Sequence, residues 1–393
     1  MDRPPVSRCS SEAGADASAG ADVDAGADVD AGADVDVGAV PRSPPLCAAY
    51  EVRGLRLAYH TWPSPAGDGP PLFLFHGFSD HGLSFAPMVR ALRSNYRIVA
   101  PDFRGHGHSG WIGAGGYYAF YDYFDDMRRL VDHLGFERIT VVGHSMGGSI
   151  AMGLAAMLGA RVERLLLLEG MGPPFHDPAD ALNRIVRWSD VLRRSDVDQD
   201  IEGRKKSRRA MSSVEEAAAR LRRANPRLSA DVARELAVSF TEPACESLTR
   251  RPGSAFDAVS GYASGSLSSE ASGSLSSDAC GSLASDASGS ASSAVVWRFD
   301  PLHRTPAPRG YREDEAEVLF RSVSCPILSV VGEVSPFADD TLRARHAWLR
   351  EGRVAVLKGA GHNLHHEQPQ ATAAIVDWWI AGRGEGDMPA CLR

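Results

Sequence analysis

Six residues, Gly143-His144-Ser145-Met146-Gly147-Gly148, fit the pattern G-x-S-x-G where the apolar run ITVV at 139–142 gives way to an Ala/Met/Leu stretch. In that spacing a strand turns sharply into a helix, the serine hydroxyl stands above the sheet, and small neighbours relieve the crowding. A serine hydroxyl is a poor nucleophile at neutral pH. It needs a base to take its proton and an acid to orient that base. Ser145 is therefore the candidate nucleophile, and the chemistry is attack on an acyl carbon. The base is expected late in the chain, where Gly359-Ala360-Gly361-His362 follows the apolar run at 354–357, which points to His362. His365 and His366, just before Glu367-Gln368-Pro369, are expected to fix the loop and the helix start. Three histidines so close on one loop do not make a metal site without a further carboxylate. Acyl transfer also needs main-chain N–H donors aimed at the developing oxyanion, one following the nucleophile and one from the loop after an earlier strand. Met146 and Phe78, the latter in His76-Gly77-Phe78, occupy those places.

Such groups must be held by a sheet, and short apolar segments do alternate with helical ones. LFLF at 72–75 precedes a helical 85–93, RIVA at 97–100 a helical 118–134, ITVV at 139–142 a helical 146–158, and LLLL at 165–168 follows. Near-continuous apolar strands separated by helices predict a parallel sheet covered on both faces. The alternation stops near 173. It resumes with ILSVV at 327–331, a helix near 339–349, a strand at 354–357 and a final helix at 370–380. The stretch between is arginine-rich, helical at 214–223 and 229–237, and reads as a cap. Two repeats, ADVDAG-type at 21–38 and a period of eight at 265–288, offer almost nothing large to bury and are expected to be disordered. A Gly/Ser insert can hang from a domain, because lengthening a loop costs at most about 1 kcal/mol. The expected organisation is a disordered acidic tail at 1–45 and a first core segment at 46–172. A helical cap at 173–322 with its insert at about 261–294, a second core segment at 323–382 and a tail at 383–393 follow.

The 393 residues carry 42 Lys and Arg against 50 Asp and Glu, a net charge of −8. Nine acidic and three basic side chains in 1–45 supply −6 of it, so the remainder is nearly neutral. A neutral body has no general attraction for nucleic acid or anionic lipid, and neither is an expected partner. No apolar run reaches the roughly 18 residues of a membrane span, and the N-terminus lacks the charged-then-apolar pattern of a secretory leader. Cys9, Cys47, Cys245, Cys280, Cys325 and Cys391 show no C-x-x-C or zinc-type spacing. A reducing, cytoplasmic location is expected, and the oligomeric state is not legible. The run Arg204-Lys205-Lys206-Ser207-Arg208-Arg209 reads as a solvated face balanced by Asp196, Asp198, Asp200 and Glu202. Trp62, Trp111, Phe120, Trp188 and Trp297 are candidates for lining an apolar pocket.

Four segments, HGF at 76–78, DFRGHGHS at 102–109, GHSMGG at 143–148 and GAGH at 359–362, stand in one order and in register with the strands. In them the chain resembles the capped α/β-hydrolases over residues 50–382. The resemblance implies an α/β fold with an eight-stranded, mostly parallel sheet, helices on both faces and a helical cap inserted after the sixth strand. It also implies a nucleophile-acid-histidine triad, no cofactor, no metal, and a pocket between sheet and cap, with Asp102, Arg104 and His106 shaping a loop beside that pocket. The acid departs from the common pattern of an Asp just after the seventh strand, because Gly332-Glu333-Val334-Ser335 puts a serine there. Glu169, ending the run LLLLEG, holds a position used for the acid in some members of the fold and is the expected acid. Glu333 is the alternative, followed by Asp339 and Asp340. The expected function is hydrolysis of a carboxylic ester or related acyl bond of a small, largely apolar substrate through a Ser-His-Glu triad. Carbon–carbon bond hydrolysis, thioester hydrolysis and acyl transfer remain alternatives through the same triad, as does a non-catalytic ligand-binding protein of this fold. The nucleophilic serine argues against the haloalkane dehalogenase and epoxide hydrolase branches, which carry a carboxylate there.

Overall fold

The computed structural model describes residues 43–64, 69–173, 177–193, 200–244, 294–337 and 344–392. Both low-complexity repeats lie outside the described residues, as do Cys9, Cys245, Cys280, Asp196, Asp198, Asp339 and Asp340. Eight strands form the main sheet. They are β1 (Leu46–Val52), β2 (Leu55–Thr61), β3 (Pro71–Phe75), β4 (Arg97–Pro101), β5 (Ile139–His144), β6 (Val162–Leu168), β9 (Ile327–Gly332) and β10 (Gly352–Leu357). Their order is β1-β2-β4-β3-β5-β6-β9-β10. β2 runs antiparallel to both its neighbours, and every pairing from β4 to β10 is parallel. The β1–β2 hairpin turns on Arg53 and Gly54, both at positive φ (49° and 75°). That is the two-residue connection whose twist suits adjoining strands.

The strands read as continuous apolar runs because both faces are covered. In β3, Phe73 and Phe75 point into one core with Phe103, Met127 and Ile150, while Leu72 and Leu74 point into the other with Met88, Ile98 and Trp379. Burying each such side chain stabilises the fold by roughly 1.5–3 kcal/mol. α2 (Phe120–His133) and α3 (Met146–Leu158) cover the first face, and α1 (Ala86–Ala91) packs with the last long helix over the second.

Between β6 and β9 the described chain forms α4 (Ala181–Leu192), α5 (Ile201–Lys206), α6 (Val214–Ala224), α7 (Ala230–Phe240), the short pair β7 (Thr241–Pro243) and β8 (Val295–Trp297), and α8 (Glu313–Ser322). Ser213 and Ser229 cap α6 and α7 by accepting from the N–H of Glu216 and Val232. α8 packs against α3 and sends Phe320 into the main core. The basic run does not form a solvated face throughout. The Arg204 side chain is 1% exposed and pairs with Asp300 at 2.8 Å, and Arg208 donates to Glu242 at 2.7 Å and to the Trp297 carbonyl at 2.8 Å. For Arg204 the balancing carboxylate is Asp300, from a distant segment, rather than the acidic residues just before it in sequence, since a buried guanidinium requires a partner. This segment is stitched to the 102–109 loop by Gly107 N–H to Arg298 O and Asp300 N–H to Gly105 O, both 2.8 Å.

Candidate active site

Register decides which residues can meet. Phe75 pairs with Gly143, His144 with Leu168, Leu168 with Val330, and Leu357 with Gly332. The segments that follow β3, β5, β6, β9 and β10 therefore emerge along one rim, at the carboxyl ends of the strands where open α/β sheets place their sites. The opposite end holds a larger hollow of about 420 Å³ beside Arg164, Glu351, Arg353 and Trp379, with no nucleophile in its lining.

Ser145 sits between β5 and α3 at φ 50°, ψ −116°. A non-glycine residue in so sparse a region costs about 1–3 kcal/mol and persists only where the surroundings impose it. They do so here by close backbone approach. A Cβ on Gly147 would stand 2.3 Å from the Phe75 carbonyl oxygen, and one on Gly148 would stand 2.5 Å from the Gly170 Cα. The Ser145 N–H is held by the Leu168 carbonyl at 3.0 Å.

The Ser145 Oγ lies 3.1 Å from His362 Nε2, and His362 Nδ1 lies 3.3 Å from Glu169 Oε2. The Glu169 side chain is 0% exposed, and its backbone is at φ 56°. Its other contacts are complete: Oε1 accepts from the Gly332 N–H at 2.6 Å, and Oε2 accepts from the Ser335 hydroxyl at 2.7 Å. A buried carboxylate with these partners is compensated for its desolvation. Glu333 faces elsewhere, accepting the Gly359 N–H at 2.8 Å. Ser335, at the place where the common pattern has its acid, instead supports the Glu169 carboxylate.

Two histidines that the sequence reading left without a task position this line. His144 donates Nε2–H to the His362 carbonyl at 2.9 Å. Burial, helped by His365, His362 and His366 nearby, holds its pKa well below the usual value, so it is a neutral donor. His76 donates Nδ1–H to Gly77 O at 2.7 Å and accepts the Phe103 N–H at Nε2 at 2.9 Å, and burial lowers its pKa too. It thereby fixes the turn that presents Phe78, whose side chain is otherwise 51% exposed. The motif gave both only as a free position and a strand-end residue. The N–H groups of Phe78 and Met146 donate to no described residue. Met146 opens α3, where helix N–H groups lack intrahelical acceptors and the dipole is positive.

Asp102 is fully buried and accepts from His60 Nε2 at 3.0 Å, Gly82 N–H at 2.8 Å and His108 N–H at 2.7 Å. Burial alone would raise its pKa, but His60 and the donated hydrogen bonds hold it well below the usual carboxylate range. Arg104 binds Asp126 and Asp122, and His106 Nε2 accepts the Ser79 N–H at 3.3 Å. All three shape the loop and none faces Ser145. Beside Ser79, a cavity of about 220 Å³ opens between Asp80, Leu221, Phe240, Trp297, Phe299 and Arg304. Of the five aromatic candidates Trp297 lines it, whereas Trp62 is core and Trp111 lies under Arg208 at 5.2 Å.

His365 and His366 are buried against His144, their ring centroids 4.5 and 6.5 Å from it. Burial brings both down to about 3, so they are neutral imidazoles. Asp80 joins them, a carboxylate that sequence spacing alone did not connect to this loop.

A parallel sheet with a serine on a strained strand-to-helix turn, a histidine on the loop after its last strand and small-residue contacts beneath defines an α/β-hydrolase. Residues 70–369 match the alpha/beta hydrolase fold family, and the chain belongs to it. It is 34% identical to the serine hydrolase-like protein of Danio rerio over 173 residues, 43% of this chain and 52% of that protein. It is 40% identical to the 3-hydroxybutyrate-oligomer hydrolase of Cupriavidus necator over 118 residues, 30% of this chain and 40% of that protein. The chain thus spans about half or less of the length of these curated relatives. A hypothetical protein from Pseudomonas aeruginosa PAO1 has the same fold, with a TM-score of 0.63 and 26% identity over 86% of this chain and 99% of that one. Among the described residues no helix is long and apolar enough to cross a membrane.

Proposed function

We propose that the protein is a serine hydrolase that cleaves a carboxylic ester or related acyl bond, with Ser145 as nucleophile, His362 as base and Glu169 as the orienting acid. The observation that carries the reading is the unbroken line from Ser145 Oγ through both His362 nitrogens to Glu169 Oε2, at 3.1 and 3.3 Å. As Oγ attacks the acyl carbon, its proton passes to His362 Nε2, and Nδ1–H holds the imidazolium against the carboxylate. The oxyanion takes hydrogen bonds from the Phe78 and Met146 N–H groups, each such donor contributing about 3–4 kcal/mol to the transition state. His362 returns the proton to the leaving group, and water then releases the acyl group by the same route in reverse. A small, largely apolar substrate is supported by Leu221, Phe240, Trp297 and Phe299 around the cavity beside Ser79. The similarity to the 3-hydroxybutyrate-oligomer hydrolase of Cupriavidus necator supports the ester class. A cytoplasmic setting fits Cys47, Cys325 and Cys391, which carry free thiols.

The test is active-site labelling paired with turnover. A fluorophosphonate probe is expected to label the wild-type chain once and Ser145→Ala not at all, and p-nitrophenyl butyrate is expected to be hydrolysed only by the former. Persistent labelling of Ser145→Ala would place the nucleophile elsewhere. Labelling without turnover across short- and long-chain esters and thioesters would favour a ligand-binding protein of this fold.

A further inference from the structure

A second group of buried polar atoms near the Ser145 site has no hydrogen-bonding explanation. Asp80 lies on the loop that carries Phe78, and His365 and His366 lie on α9 (Leu364–Glu367), just after His362. All three side chains are at least nine-tenths buried. Both ring nitrogens of His365 and the Nε2 of His366 lack a hydrogen-bond partner among the described residues, a condition native proteins rarely tolerate without an ion or water to account for it.

Asp80 Oδ1 accepts its neighbour's N–H, from His81, at 2.7 Å. Its Oδ2 faces His365 Nε2 at 3.7 Å and His366 Nε2 at 3.6 Å. Those separations are too long for hydrogen bonds. They lie close to the edge of a coordination tetrahedron, about 3.3–3.4 Å when N and O ligands sit about 2.0–2.1 Å from Zn²⁺. One donor atom from each of the three residues lies within 4.8 Å of the other two. We propose that Asp80, His365 and His366 bind one divalent transition-metal ion of the zinc class, with water completing its shell.

Two imidazoles and one carboxylate suit zinc and its neighbours in the first transition row rather than magnesium or calcium, which take oxygen. The ion has an access route, because Asp80, His81 and Phe240 also line the 220 Å³ cavity. The other grouping of this kind, His60, Asp102 and His108, differs in the respect that matters: the Asp102 carboxylate already accepts three short hydrogen bonds. The proposed ion would tie the loop of Phe78 to the segment of His362 across His144. Since His365 Nδ1 finds no acceptor, the site lacks the outer-sphere brace whose loss typically weakens metal sites by about 10–100-fold. The ion is therefore expected to be held less tightly than at a fully braced site.

The test is chelator competition for Zn²⁺ on the full-length chain, with Co²⁺ as a visible-absorption probe. The wild-type chain is expected to bind one more Zn²⁺ than Asp80→Asn and His366→Gln, or to bind it at least about tenfold more tightly. It is also expected to give Co²⁺ the intense visible bands of a four-coordinate N/O site, which both variants lose. His108→Gln, in the grouping whose carboxylate is already fully hydrogen-bonded, is expected to bind as the wild type does. Near-UV circular dichroism identifies which variants are folded, and the Co²⁺ spectrum of the wild type decides the matter if neither is. Absence of those bands, equal Zn²⁺ binding by wild type and a folded variant, or loss confined to His108→Gln would overturn the proposal.

Discussion

Replacing Glu169 by Gln removes one charge from a buried position and changes the volume hardly at all, so its effect can be worked out atom by atom. Gly332 N–H, at 2.6 Å, demands an acceptor, which fixes the new side chain with its oxygen toward Gly332 and its NH₂ toward Ser335 and His362. Ser335 can adapt, because a hydroxyl accepts as readily as it donates. His362 cannot: an amide N–H facing Nδ1 selects the tautomer with the proton on Nε2, where it points at Ser145 Oγ and cannot receive the serine proton. The Phe78 and Met146 N–H groups and the cavity beside Ser79 are untouched. The expected outcome is a fall in kcat of about 10³–10⁴, or about 4–5.5 kcal/mol of transition-state stabilisation, with little change in KM. Glu333→Gln keeps an acceptor for Gly359 N–H and is expected to stay within about threefold of wild type. Steady-state hydrolysis of p-nitrophenyl butyrate separates the two variants. A Glu169→Gln enzyme within tenfold of wild type, or a Glu333→Gln enzyme that loses more, would refute the assignment of the acid.

Three further outcomes are expected. Ser335→Asp introduced into Glu169→Gln places a carboxylate where the hydroxyl now stands 2.7 Å from Oε2, and should restore turnover about tenfold over the single variant; no gain would mean that position 335 cannot reach His362 Nδ1. Gly147→Ala drives a Cβ to 2.3 Å from a carbonyl oxygen of β3 that cannot move aside, so thermal denaturation should show a loss of about 3 kcal/mol, or about 5 °C in Tm, and an unchanged Tm would contradict the packing of the turn. Burial lowers His303 to about 3 and His346 to about 4 in the folded chain. Both fall below the unfolded value near 6.5, so the unfolded chain binds more protons in acid: this stability is complete above pH 6.5 and is lost as pH falls toward those folded values. At pH 5 each imidazole accounts for about 2 kcal/mol, so urea midpoints should correspond to at least about 4 kcal/mol less stability at pH 5.0 than at pH 7.5. Equal midpoints would show that these rings are not held neutral.

What could be read from the chain follows from where the constraint is local. LFLF and LLLL are apolar at every position, and ITVV at all but Thr140, because both faces of those strands are covered, and a run of that kind has few other uses. The glycines around Ser145 are legible for the same reason, as backbone packs directly on backbone there. The β1–β2 hairpin was not legible. β1 opens on LCAAY, a run of mostly small residues without the bulk of the central strands, and β2 breaks its apolar residues with Arg56 and His60, so neither stands out as LFLF or LLLL does. Arg204 belongs to a charge run that looks solvated until Asp300 is brought beside it, and the contact exists only in the folded chain. The same holds for His144, His76 and Asp80, each of which takes its partner from a segment that sequence order does not place next to it.

The choice between two carboxylates at strand ends shows where such reading stops. β6 and β9 are adjacent and parallel, with Leu168 opposite Val330, so an acid after either strand begins within reach of the same imidazole. Each follows an apolar strand, so position alone does not separate them, and the preference for Glu169 over Glu333 in the sequence rests on the resemblance to members of the fold that carry their acid there. The difference lies in which main-chain donor each meets. The backbone of Glu169 turns into positive φ, bringing its carboxylate under the sheet rim onto the Gly332 N–H, while Glu333 reaches outward to the Gly359 N–H. Each acid therefore braces a loop belonging to another strand, and only the inner one is left with an oxygen facing His362. A serine at 335 is compatible with that arrangement because a hydroxyl can donate to the inner carboxylate, where a second carboxylate would repel it.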